Sequence, residues 1–346
     1  MPAQLRVDCE SLPYVTEDLP GIGGCLPDKT SDFIVTEIPL YECEGSGEHV
    51  YLNCTREGKT TRDIQKALAK LFGLEPNKVG YAGLKDKQTR ATQTFSLHLI
   101  KDDPDDVARR IEDALPLKLN WISRHVNKLR IGHLKGNSFE ILVNNVHSNS
   151  AGNMDALVQA IEARGMPNYY GIQRMGPQGR NVKTGMDIFH GKRRKPQWER
   201  KMYLSAFQSW AFNLWLEQRI RKGLFATLLA GDVVKKADSG ALFTVYNLEE
   251  EIERFKRHEI THTGPIFGYK MLWPESESFE LEKSVMDNCG VTQELLLKNK
   301  LNGSRRAGRI FPENLRVTPR EQGYLFNFSL PKGSYATMLL REIMKV

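Results

Sequence analysis

The 346-residue chain is poor in cysteine: Cys9, Cys25, Cys43, Cys54 and Cys289 are scattered singly, with no C-x-x-C pair. An odd, dispersed set builds neither a disulfide framework nor a four-cysteine zinc site, and it fits a reducing cytoplasm. Long apolar runs are also missing. The most apolar stretch, Leu204 to Leu216, is broken by Gln208, Ser209 and Asn213, well short of the ~18 residues a spanning helix needs, so a membrane protein is excluded. The amino-terminal MPAQLRVDCE lacks an apolar h-region, which predicts no secretory signal. Nucleotide-binding glycine patterns are absent too. No G-x-G-x-x-G occurs, and Gly58-Lys59-Thr60 resembles a phosphate loop only at its end, because Asn53 stands where the first glycine is required. Internal repeats and low-complexity tracts are lacking as well.

What is present describes an ordinary globular chain of one large or two medium domains, with 40% hydrophobic and 26% charged residues. Lys and Arg number 49 against 42 Asp and Glu, a net charge of +7. The excess is clustered: Arg180 to Lys201 carries eight cations against Asp187 and Glu199, a net +6 in 22 residues. Such runs are ordinarily solvated loops; one interrupted by Phe189 and Trp198 also suits a surface that follows phosphates.

Along the chain, Asp32–Ile38 and Glu48–Cys54 read as strands. A helix follows, with Thr60 as its cap and Asp63 three residues on, then Ile64, Ala67, Leu68, Leu71 and Phe72 at helical spacing up to Gly73. Val79–Gly83 predicts a short buried strand running into the polar loop Leu84–Arg90. Pro104–Leu115 is a helix and Lys128–Asn144 a strand or hairpin. After a linker-like 147–153 come a helix to Ala163, the basic segment, and a helical stripe of Tyr203, Ala206, Phe207, Trp210, Leu214 and Trp215, read as core. The chain stays helix-rich to about residue 300. Strand character returns at Tyr324–Leu330, before a helix capped by Ser334. Mixed short strands and helices without regular βαβ repeats predict an α+β fold. Its β-rich ends around a helical middle predict a discontinuous domain, 1–154 and 305–346, with 155–304 inserted.

Two motifs carry chemistry. His258-Glu259-Ile260-Thr261-His262 matches H-E-x-x-H, which on a helix holds zinc. Thr263-Gly264-Pro265 ends any helix there and no third histidine follows at a suitable spacing, so a solvated helix end is the better reading of it. The more specific constellation is Gly80-Tyr81-Ala82-Gly83-Leu84-Lys85-Asp86-Lys87-Gln88-Thr89-Arg90. One carboxylate among three cations has its charged form favoured and can act as nucleophile or base. A salt-bridged loop is the ordinary alternative.

Together with Asn168–Gly176 (NYYGIQRMG), Lys128–Phe139 (KLRIGHLKGNSF) and Leu330–Thr337 (LPKGSYAT), this constellation closely resembles the TruD family of tRNA pseudouridine synthases, in the family's order from about Asp32 to the C-terminus. The resemblance implies a pseudouridine-synthase catalytic domain around a mixed, largely antiparallel sheet, interrupted by the family's own insertion. It places Asp86 on the catalytic aspartate, Phe33 and Asn137 on residues lining the uridine site, Tyr335 on an aromatic there and Phe139 on a nearby one. Tyr170, Met175 and Tyr335 stand where the family often has Phe. Pro27 replaces a common Lys six residues before Phe33, which leaves open whether Lys29, Arg90 or a more distant cation serves Asp86.

The implied reaction breaks N1–C1′ of a uridine, turns the base and joins C5 to C1′. It involves no redox change and needs no cofactor or metal. Asp86 could attack C1′, add to C6 or take the 2′ proton. Aromatics and an amide would keep the detached base in place. The natural partner is tRNA, by resemblance at uridine 13 of the D-arm, which leaves open whether other structured RNAs are also substrates; no obligatory protein partner is implied. Flipping the uridine out costs a few kcal/mol, which phosphate contacts from Lys192, Arg193, Arg194, Lys195, Arg305, Arg306 and Arg309 would offset. The competing readings are an RNA-binding protein without catalysis, which has no need of Lys85-Asp86-Lys87, and a zinc peptidase.

Overall fold

Thr60 and Asp63 make the reciprocal helix cap the sequence predicts. Asp63 N donates to Thr60 Oγ1 (3.2 Å) and Thr60 N to Asp63 Oδ2 (2.8 Å), opening the helix Thr61–Leu71. Ile64, Leu68 and Ala69 on its inner face join Val107 and Ile111 of the Pro104–Ala114 helix against Val50, Leu52, Phe95 and Leu97 of two strands, all buried. Fully burying side chains of this kind contributes about 1.5–3 kcal/mol each. The chain leaves the first helix through Gly73, whose φ of +63° favours glycine.

The computed structural model describes residues 7–346; the first six positions of the amino-terminal stretch read for a secretory signal lie outside them. The chain divides into two units. One comprises 22–151 and 312–333, the other 7–21, 152–311 and 334–345.

The first unit is built on a nine-stranded sheet. Its main path runs Glu313–Arg320, Gly323–Pro331, Leu134–Val146, Phe33–Pro39, Arg90–His98, His49–Arg56, Lys118–His125, with Gly23–Cys25 and Val79–Tyr81 pairing beside it. Only Phe33–Pro39 against Arg90–His98 is parallel. The fold is α+β, and the sheet is mixed and largely antiparallel.

In the second unit the long helix Gln197–Arg221 buries Ala206, Phe207, Trp210 and Trp215, as its stripe predicts. This middle of the chain is less purely helical than its sequence suggests. Leu242–Thr244, Val233–Lys236, Ile260–Ile266 and Ser304–Ala307 form a four-stranded antiparallel sheet. The division also departs from the expected boundaries, for reasons of pairing. Ser304–Ala307 completes that sheet, Arg309–Ile310 pairs with Met166–Pro167, and Glu342 accepts hydrogen bonds from Thr16 N (2.8 Å) and Oγ1 (2.9 Å). The segment 305–311, the terminal helix Ala336–Met344 and residues 7–21 therefore pack with the 152–304 segment. That helix starts at Tyr335 with no side-chain cap; Ser334, expected as the cap, has its Oγ buried without a partner.

Candidate active site

Val79–Tyr81 lies antiparallel to Arg90–His98, and Gly80 lets Leu129 approach so closely that a Cβ would stand 2.2 Å from the Leu129 carbonyl oxygen. Beyond Ala82 the chain leaves the sheet and crosses back to Arg90. Within this loop Lys85 is buried and Asp86 exposed, so adjacent side chains take opposite directions, as extended backbone requires.

The loop is anchored by polar contacts, all but one of them to groups fixed elsewhere in the same unit. Lys85 N donates to Thr61 Oγ1 (2.8 Å), and Thr61 Oγ1 donates in turn to Gln93 Oε1 (2.9 Å). Lys85 Nζ pairs with Glu37 Oε2 at 3.1 Å, both side chains buried. Thr89 Oγ1 donates to the Asp86 carbonyl (3.0 Å). Beneath the loop Arg56, 2% exposed, donates from Nη2 to the Lys85 carbonyl (3.0 Å), from Nη1 to the Asp86 carbonyl (3.3 Å), and from Nη1 to the Lys59 carbonyl. Burial pulls the Arg56 guanidinium below its ordinary pKa, while Cys54, Asp86 and Asp63 act in the opposite sense.

The sheet register shows which face the loop meets. Phe33, Val35 and Glu37 stand opposite Ile141, Phe139 and Asn137, and those residues stand opposite Phe326, Phe328 and Leu330 on the other side. Residues directly opposite in a ladder share a face. Phe33, Glu37, Asn137 and Phe139 therefore project from one face, the face on which Glu37 receives the Lys85 ammonium. Phe139 is buried and stacks on Phe328 with centroids 5.2 Å apart. Phe33 is half-buried. Asn137 Oδ1 is buried without a hydrogen-bond partner, an acceptor of the kind that folded proteins seldom leave vacant.

Other expected residues lie elsewhere or are engaged differently. Arg90 Nε pairs with Glu57 Oε1 at 3.3 Å. Lys29 is exposed. Tyr335 belongs to the second unit, 6.0 Å from the Tyr170 ring in a T-shaped contact. Arg306, expected on phosphates, instead stacks its guanidinium 3.9 Å from the Tyr170 centroid and donates to Asn168 O (3.0 Å) and Asn168 Oδ1 (2.7 Å). Arg305 is locked onto Glu282 at 2.6 Å with both side chains 0% exposed. Arg309 is buried, donates from Nε to the Arg164 carbonyl (2.7 Å), and is pushed by that burial down to about 10. These three arginines are corrected from surface cations to internal braces: each spends its donors on protein acceptors. Lys192, Arg193 and Arg194 are exposed in the turn before the long helix, near the exposed Trp198, while Lys195 pairs with Glu199 at 2.8 Å.

The H-E-x-x-H stretch is not a solvated helix end. It runs through a turn into the strand Ile260–Ile266, where His262 is fully buried and its Nε2 lies 2.8 Å from the Phe225 carbonyl. His258 stacks on Phe311. Among the described residues no group of three His, Cys, Asp or Glu is placed to hold a metal ion, and no helix is long and apolar enough to cross a membrane.

Arg56, Thr61 and Glu37 have no place in the motif reading, and Thr89 stands in the motif without a role. Glu37 had a visible signal, a single carboxylate in register with Phe33 and Val35 on an inward face, which demands a buried partner. Arg56 had a weaker one, a cation closing the apolar run from Val50 to Cys54.

Comparison with known proteins agrees over nearly the whole chain. The family model for tRNA pseudouridine synthase D (TruD) matches residues 10–199 and 193–343. The tRNA pseudouridine synthase D of Anaeromyxobacter sp. (strain Fw109-5) is 39% identical over 342 residues, covering 96% of each chain. That of a Thermus thermophilus strain is 38% identical over 345 residues, 97% of this chain and 93% of its own. A crystal structure from Methanosarcina mazei assigned as a tRNA pseudouridine synthase D superposes with a TM-score of 0.74 at 23% identity, covering 96% of both chains, and so shares the fold.

Proposed function

Because the chain belongs to the TruD family of tRNA pseudouridine synthases, we propose that it isomerises uridine 13 in the D-arm of tRNA to pseudouridine, with Asp86 as the reacting carboxylate. One observation carries the reading. Three segments far apart in sequence, around Phe33, Asp86 and Asn137, are tied to a single sheet face by the Lys85–Glu37 pair and the strand register.

The arrangement suits the chemistry. An exposed carboxylate on a pinned loop is available to a nucleotide that has been turned out of its helix, whereas a free-swinging one would lose the advantage of fixed geometry. The half-buried Asn137 amide can receive the N3–H of uracil once a turn of its side chain uncovers the buried Oδ1, and that edge stays the same whichever of N1 and C5 faces the sugar. A uracil held there is kept in the site after its glycosidic bond breaks. Attack at C1′, addition at C6 and removal of the 2′ proton all start from an ionised Asp86 and remain equally open. On the RNA side, Lys192, Arg193 and Arg194 stand exposed together in one turn, where they can meet phosphates.

The test is Asp86→Asn, which keeps the shape and removes the charge. Chemical mapping of pseudouridine in tRNA treated with the variant should show none, while the tRNA dissociation constant stays within about threefold, since one carboxylate is a small part of a phosphate-dominated interface. Turnover near that of the wild type overturns the role of Asp86. Pseudouridine mapped in tRNA at another position, with none at 13, overturns the assigned target.

A further inference from the structure

We propose that Arg56 is a positioning residue for the isomerisation, its buried guanidinium acting as a template that fixes the backbone of Lys85 and Asp86 and so aims the Asp86 carboxylate. The inference rests on the reading of Asp86 as the reacting group.

The geometry is that of a brace. Arg56 ends the strand His49–Arg56, which lies between Arg90–His98 and Lys118–His125; its own backbone pairs with Ala91, and the preceding Thr55 is paired on both sides, with Thr92 and Lys118. From that fixed base the planar fork reaches three carbonyl oxygens in two different loops: Lys59, at the entry to the capped helix, and Lys85 and Asp86. A guanidinium presents its donors in one rigid plane, so meeting three acceptors fixes their relative positions in a way that a single ammonium cannot. Arg56 Nε, by contrast, is buried with no partner. A buried cation with an unpaired donor is costly, and no carboxylate pairs with it among the described residues. A hydrophobic side chain at this position would fill the space without that cost, so the arginine is there for what its fork holds in place.

The other anchors leave this role to Arg56. Thr61 and Glu37 hold Lys85, through its N–H and its ammonium. Only Thr89, three residues on in the same loop, also holds the Asp86 carbonyl. Without Arg56 the Asp86 peptide would be fixed by its own loop alone. A displacement of about 1 Å in a reacting group from a distant change costs on the order of 10²-fold in rate.

The experiment measures single-turnover rate and tRNA affinity separately for Arg56→Gln, Arg56→Lys and Asp86→Asn, alongside thermal melting. Arg56→Gln is expected to lower the single-turnover rate at saturating enzyme about 10²-fold with tRNA affinity unchanged. Arg56→Lys, which keeps the charge and one donor group, is expected to recover part of that loss and fall about tenfold below wild type. A residue that served stability alone would lower the melting temperature without dividing rate from affinity in this way. Rates within twofold of wild type for both Arg56 variants overturn the proposal, as does a loss of affinity equal to the loss of rate. If Arg56→Gln does not fold, Arg56→Lys decides by the same criteria. An active Asp86→Asn removes the underlying reading instead, whatever the Arg56 variants do.

Discussion

Lys85 and Glu37 form a buried ion pair, 3.1 Å apart with side-chain exposures of 6% and 3%, and it ties the loop that carries Asp86 to the central sheet. The Thr94 N–H also donates to Glu37 Oε1, at 3.4 Å. Gly83 passes beside the pair, where a Cβ would lie 3.2 Å from Lys85 Nζ. Burying two charges is expensive, and their attraction offsets the cost only while both are present.

Glu37→Gln should therefore destabilise the fold by about 3–5 kcal/mol, since it leaves an ammonium buried without its counter-charge. Replacing both partners, as Lys85→Met with Glu37→Leu, should recover much of that stability, because neither charge is then stranded. Urea unfolding of the two singles and the double makes the comparison. Single and double variants of equal stability would show that the pair contributes through packing alone. Activity should fall in the double variant even where stability returns, since the tether of the Asp86 loop has gone.

His262 yields a prediction about pH. Burial holds its imidazole neutral, with a pKa pushed down to about 3, and the nearby Arg219 acts in the same direction while Asp232 opposes. Phe225, Phe255 and Trp215 surround the ring, and the charge of Arg309, from the neighbouring segment, also favours the neutral form. In the unfolded chain the same group titrates near ~6.5. Below that pH the unfolded state binds one more proton. The stability contributed by a neutral His262 is thus complete above ~6.5 and is lost as pH falls towards 3, by up to ~1.4 kcal/mol per pH unit. His262→Gln should make the fall in stability between pH 6.5 and 5 shallower by about one proton, read from urea midpoints. Identical slopes would mean that the ring is not held neutral. The same preparation tests the zinc-peptidase alternative: one zinc per chain in elemental analysis, lost in His262→Gln, would restore it.

The sequence makes the site legible where local rules and the fold agree. The Thr60–Asp63 cap, the strand after Val79, the polar loop from Leu84 and the alternation of Phe139, Ile141 and Val143 all depend on neighbours a few residues apart, so pattern alone finds them. The cation question shows the limit. Arg90 looks like the partner of Asp86 because it is near in sequence, yet it pairs with Glu57, and the residue under the loop is Arg56, thirty positions earlier. Only the ladder between His49–Arg56 and Arg90–His98 brings it there. The H-E-x-x-H stretch misleads for a related reason. Its spacing suits a helix face, but Ile260 to His262 pair with Val234 to Lys236 in a sheet, and tertiary pairing overrides the local pattern. Arg305, Arg306 and Arg309 read as a basic patch because sequence shows charge and not burial. Glu282, Asn168 and the Arg164 carbonyl, which absorb them, lie 23 to 145 residues away.

That burial separates two kinds of arginine and sharpens the last prediction. Neutralising Lys192, Arg193 and Arg194 together, each to Gln, should weaken tRNA binding and flatten its salt dependence, by roughly 0.7 to 0.9 in the log–log slope for each phosphate that no longer meets a cation. The single-turnover rate at saturating enzyme should hardly change, because the turn belongs to the second unit and Asp86, Asn137 and Phe139 to the first. Arg305→Met should do the reverse. It strands Glu282, whose pKa burial already raises, and should cost about 3–5 kcal/mol of stability while leaving the salt slope of the folded fraction intact. If the triple variant keeps the wild-type slope, the exposed turn serves solubility, and the phosphate contacts must be sought on cations other than the arginines of residues 305–309, whose donors are already spent inside the protein.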